Sequence, residues 1–142
     1  MRMARRVSHS IRTATIIASA MVGGLALATT GAPAQGASDV VPPARCYLDA
    51  VEAADALALA ACFAPDGAVV DVRRRIEGRE AIEAWAAREV IGGALEVIEV
   101  EPAEGGQRLL VHWAPRGSDG WRAHYTFTVR NGAIVVADLQ YA

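Results

Sequence analysis

The chain has 142 residues, with 16 acids against 14 arginines, no lysine and a formal net charge of −2. Every acid lies at or beyond Asp39 while Arg2, Arg5, Arg6 and Arg12 precede it, so a leader at +4 adjoins a body at −6, which lacks the basic face that nucleic acid requires. Two cysteines exclude a disulfide-rich scaffold and a four-cysteine zinc site, and a body of about 105 residues suffices for one domain with one core.

In chain order, arginines crowd residues 2–12, an apolar run follows from Thr13 to Ala28, and Ala32-Pro33-Ala34 offers the small residues that a signal peptidase reads. Residues 1–37 therefore read as an export signal with its cleavage region, which makes the mature protein exported and free of the membrane. The alternative is an uncleaved signal anchor that tethers it. The run is shorter than the roughly 20 apolar residues of a spanning helix and is broken by Gly23-Gly24. Residues 38–43 form a flexible entry, and 44–142 form the domain.

From Ala44 to Phe63 the spacing is helical, but one continuous helix would put Asp55 on its apolar stripe. Asp55 suits the N-cap of a second helix, which predicts helices over about 43–53 and 55–63 with a bend between them. Cys46 and Cys62 would lie about 24 Å apart on an unbroken helix, too far to bond. With the bend they can meet, and an oxidising destination favours a disulfide over two free thiols. Pro65-Asp66-Gly67 predicts a turn that closes the second helix, Ala68–Val72 a short strand, and Arg73-Arg74-Arg75 the start of a loop. A third helix runs from Arg79 to Ile91, with Ile82, Trp85 and Ala86 inward and Gly92-Gly93 as its stop.

The rest is sheet. Strands are predicted over Ala94–Glu101, Arg108–Ala114, Trp121–Arg130 and Ala133–Tyr141, with Asn131-Gly132 as a tight hairpin turn. Alternation in the third of these puts Trp121, Ala123, Tyr125, Phe127 and Val129 against the helices. In the last, Ile134, Val136, Asp138 and Gln140 share the outer face, where two apolar residues point to a homodimer contact. Helices followed by antiparallel strands make an α+β domain.

The series Tyr47-Leu48-Asp49-Ala50-Val51, Asp55, Leu59, Phe63-Ala64-Pro65-Asp66-Gly67, Val70-Asp71, Gly78-Arg79-Glu80-Ala81-Ile82 and Trp85 resembles the nuclear transport factor 2-like superfamily. Its SnoaL-like polyketide cyclase and ketosteroid isomerase branches are the most similar. The resemblance implies a curved, cystatin-like sheet, mixed or antiparallel, wrapped around three helices as a cone, with a pocket at its mouth for a small apolar molecule. It further implies Tyr47 as an oxyanion donor and Asp71 as a general base. The second donor of the isomerases is an Asp at or beside Tyr125. This chain has no acid there, and Tyr125 stands in its place as donor.

Asp71, between Val70 and Val72, is costly to bury alone, so it either lines a pocket or pairs with an arginine such as Arg73. In a pocket it is placed to move a proton next to a carbonyl, with Tyr47 and Tyr125 holding the enolate oxygen. Phe63, Trp85, Trp113, Trp121, Phe127 and Tyr141 are the candidate ligand-binding aromatics. Proton transfer of this kind needs no cofactor, and His112 and His124 without spaced partners predict no metal site. Two functions follow: an exported isomerase or cyclase acting on a small apolar substrate, or a non-catalytic ligand-binding or dimerisation module whose cone is filled by its own side chains.

Overall fold

The computed structural model describes residues 39–142, and the predicted export signal lies outside them. The described chain folds as α1 (Pro42–Glu52), α2 (Ala56–Ala61), β1 (Phe63–Asp71), β2 (Arg74–Glu77), α3 (Arg79–Glu89), β3 (Ala94–Ala103), β4 (Gly106–Ala114), β5 (Trp121–Arg130) and β6 (Ala133–Tyr141). Among these residues no helix is long and apolar enough to cross a membrane.

Pro42 opens α1, where its missing N–H costs nothing, and the helix buries Ala44, Tyr47, Leu48 and Val51. It stops where Ala54 takes a left-handed φ of 54°. Asp55 then caps α2 as expected, its carboxylate accepting from the Ala58 N–H at 2.9 Å. The resulting bend brings the Cα atoms of Cys46 and Cys62 to 5.8 Å, and the two sulfurs are bonded.

The six strands form one mixed sheet in the order β2-β1-β6-β5-β4-β3, with β1 parallel to β6 and every other pair antiparallel. Helix α1 lies against β3 and β6, and α3 against β1 and β2. Between them sits the core, with Tyr47, Leu59, Phe63, Ile82, Leu109, Phe127 and Ile134 fully buried.

Bulges bend the sheet and account for two departures from the local reading. Pro65-Asp66-Gly67 is not a separate turn. In β1, Phe63 pairs with Ile134 and Ala68 with Val136, so the residues between them arch out of the strand. Proline has no N–H for the ladder, and an added Cβ at Gly67 would crowd the Ala64 and Ile134 carbonyls. In the β5–β6 pair, Thr128 opposes Val136 but Val129 opposes Ile134, which makes Val135 an extra residue. That insertion flips the phase, so Ile134 is fully buried rather than on the outer face with Val136. The Asn131-Gly132 turn has both residues at positive φ, 52° and 74°, as a tight two-residue hairpin demands.

One polar residue in the core ties down the start of the domain. Gln107, 7% exposed, accepts from the Val41 N–H at 2.9 Å and donates to the Asp39 carbonyl at 2.8 Å. Gln107→Ala leaves that backbone unpaired and is expected to cost about 2 kcal/mol. An unchanged urea midpoint would show that residues 39–41 carry no such weight.

Candidate functional site

The register sets one row of side chains across four strands. Asp71 opposes Leu139, Leu139 opposes Tyr125, and Tyr125 opposes Leu109. Directly paired residues share a face, so this row lies on the side of the sheet that meets the helices. Next to it, Ala123 opposes Tyr141 and Trp113 opposes Trp121. All of these but the buried Leu109, with Trp85 and Val90 from α3 and its end, line a cavity of about 460 Å³. That is room for a small organic molecule.

Not every candidate lies in the lining. Asp71, Tyr125, Trp85, Trp113, Trp121 and Tyr141 line it, and Phe63, Phe127 and Tyr47 do not. Phe63 and Phe127 are fully buried behind the wall. Tyr47, 1% exposed, packs between them and Tyr125, with ring centroids 6.3, 5.3 and 6.1 Å away respectively. Trp121 is 39% exposed and Tyr141 64% exposed, and their rings meet at 5.8 Å to make an aromatic lip. Alternation placed Trp121 inward without showing that strand β5 runs past the core there.

The carboxylate has partners that the local reading did not identify. Asp71 pairs with Arg74, not Arg73, because the β1–β2 register sets Asp71 opposite Arg74 and leaves Arg73 at the turn. Arg74 also grips Glu89 of α3, with bonds of 3.0 and 2.5 Å to its two carboxylate oxygens. The Trp85 indole N–H donates to Asp71 at 3.4 Å. Bonding to Arg74 holds the Glu89 carboxyl below its usual range. A depressed carboxyl contributes stability above its unfolded value and loses it as pH falls through the folded one, so this tie from α3 to β2 loosens in acid.

Gly93 was legible only as a helix stop. The Trp113 ring packs so closely over it that an added Cβ would run into the indole. This glycine therefore seats one wall of the cavity, a contact between residues twenty apart that no local signal announces.

Both phenols are held in their protonated form. Burial, then Tyr125 and Asp71, push Tyr47 well above the ordinary 10.0, and burial followed by Asp71 raises Tyr125. A raised value contributes stability in full below the unfolded value near 10 and loses it as pH rises toward the folded one. In an alkaline absorbance titration of the folded protein, Tyr47→Phe and Tyr125→Phe are expected to leave the phenolate signal unchanged until unfolding. A smaller signal before unfolding in either variant would place that hydroxyl in water. Among the described residues no group of three or more His, Cys, Asp or Glu is placed to hold a metal ion.

The family profile described as the SnoaL-like domain matches residues 44–137. Solved structures with the same fold include a Sinorhizobium meliloti protein described as a candidate polyketide cyclase. It is 25% identical, with 72% of this chain and 97% of that one covered and a TM-score of 0.64. A Mycobacterium tuberculosis protein in complex with estradiol-17β-hemisuccinate is 16% identical, with 70% and 91% covered and a TM-score of 0.61. A Catenulispora acidiphila protein of ketosteroid isomerase-like fold, in complex with trimethylamine, is 18% identical, with 72% and 87% covered and a TM-score of 0.64. No curated protein matches the chain.

Proposed function

We propose, because the chain belongs to the SnoaL-like domain family, that its cavity binds a small, flat, largely apolar molecule bearing one carbonyl or hydroxyl group. The observation that carries this reading is the cavity of about 460 Å³, walled by Trp85, Trp113, Trp121 and Leu139, with Tyr125 and Asp71 as polar groups in its lining. Convergent polar groups in an apolar pocket orient a ligand that the walls hold by burial. Protonated Tyr125 is a donor to a ligand oxygen, and Asp71 an acceptor from a ligand hydroxyl. Structures of the same fold hold an estradiol ester and trimethylamine, which supports a small organic ligand here.

The test is a titration with planar enones and phenols, followed by the NMR resonances of Tyr125 and Trp113. Saturable shifts at both are expected. Ala123→Leu, which grows into the cavity from a site 4% exposed, is expected to weaken binding by about tenfold. Saturation unaltered by that substitution would put the ligand elsewhere.

A second reading is favoured by one observation: the Asp71 carboxylate lies within electrostatic reach of two protonated phenols, Tyr125 and Tyr47. On this reading Asp71 takes the proton next to the ligand carbonyl, and Tyr125 donates to the enolate oxygen that forms. Tyr47 acts through Tyr125 as a positioning residue. The product is an isomerised or cyclised carbonyl compound. We also infer export, from the leader and from a disulfide that suits an oxidising space. An intact Met1 on protein recovered from the cytoplasm alone would refute it.

A further inference from the structure

The β1–β2 hairpin carries three consecutive arginines, Arg73 at its turn and Arg74 and Arg75 in β2, and two of the three have carboxylate partners. Arg74 is shared by Asp71 and Glu89, and Arg75 bonds Glu77 at 2.5 Å. Arg73 lines the cavity, is exposed, and makes no hydrogen bond or ion pair with the described residues.

Its perch is firm. Val72 is left-handed, with φ 57°, and its N–H donates to the Leu139 carbonyl at 2.9 Å. The Gln140 side chain donates to the Val72 carbonyl at 3.2 Å. Both ends of the Val72 residue are thus bonded to β6, which is itself a wall of the cavity. Arg73 is presented at the mouth by fixed backbone.

The charged groups in the lining are Asp71, Glu89, Arg73 and Arg74. These four charges sum to zero. Arg74 is bonded to both acids, and Arg73 is the one guanidinium of the set with no carboxylate partner among the described residues. From the β1–β2 turn the apolar lining runs across the sheet through Leu139 of β6 and Ala123 of β5 to Trp113 of β4, with the Trp121–Tyr141 lip at its edge. The site is thus divided into an apolar slot and a cationic edge. The charged lining is neutral in sum while the body carries −6, so an anion meets less repulsion at this mouth than the net charge of the body implies.

We propose that the ligand is an amphipathic carboxylate: a flat apolar body in the slot, with an anionic head received by Arg73 at the mouth. This rests on the cavity being the binding site and adds the class of ligand. The planar guanidinium offers two parallel N–H donors to a carboxylate, a geometry that a neutral carbonyl cannot use as fully.

The test is calorimetric titration of the full chain with 2-naphthoate and with 2-naphthamide, which share one ring system and differ in charge. The acid is expected to bind about tenfold more tightly than the amide at low salt, as a charge-assisted bond implies. That advantage is expected to shrink in 0.5 M salt and to vanish in Arg73→Gln. If acid and amide bind equally, or the advantage survives Arg73→Gln, the carboxylate assignment is wrong while the cavity reading stands. If neither binds, both fail together.

Discussion

Asp71→Asn is expected to lower turnover of a planar β,γ-unsaturated ketone by about 10²–10⁴ while leaving its binding within about threefold. The substitution is nearly isosteric and keeps the cavity wall intact. Arg74 retains Glu89, bonded at 3.0 and 2.5 Å, so its guanidinium is not stranded when it loses the Asp71 charge. The Trp85 N–H keeps an oxygen to donate to at the same site. The charge and the ability to accept a proton are removed while the shape is kept, so a loss confined to kcat, with binding held, identifies Asp71 as the base. Unchanged turnover would place the base elsewhere. Binding without turnover in the unaltered protein would leave the ligand-binding reading alone in force.

Loss of the Cys46–Cys62 bond is expected to cost about 3 kcal/mol, from the entropy that a loop of this size returns to the unfolded chain. The cysteines are 16 residues apart and enclose the α1–α2 bend. The site also matters, because Tyr47 and Phe63 directly follow the two cysteines and pack edge to face at 6.3 Å in the centre of the core. For a domain of this size the melting temperature is expected to fall by about 10 °C or more on reduction. The Cys46→Ser/Cys62→Ser double variant is expected to melt at the reduced temperature and to ignore reductant. A reduced protein that melts within about 2 °C of the oxidised one would show the bend to be held by packing alone.

The features open to prediction from the chain alone are those in which neighbours in sequence decide the outcome. Asp55 caps α2 because a short carboxylate reaches an N–H three residues on. Asn131-Gly132 turns because both residues tolerate positive φ. Alternation along β5 sorted Ala123, Tyr125 and Phe127 to the buried side, since a strand's side chains change faces at every residue. The order of such signals is what carried the resemblance to a curved sheet around three helices, and the architecture agrees with it.

The candidate site was legible as a set of residue types but not as a set of partners. Arg73 and Arg74 are equivalent in a string of three arginines, and only the β1–β2 register sets Arg74 opposite Asp71 and frees Arg73 at the mouth. Glu89, Gly93 and Gln107 gave no local sign of their roles, because each acts on a residue at least fifteen positions away. Periods of 3.6 and 2 and the chemistry of caps and turns are short-range, so the sequence by itself determined most of the elements, their order and most of the buried faces. It did not determine β2, which reads locally as loop and is a strand only through its pairing with β1. Which wall a tryptophan forms, which carboxylate an arginine meets and where a strand shifts phase were decided only in the tertiary structure. Those outcomes depend on how all six strands register against one another, and a single bulge such as Val135 moves every pairing beyond it.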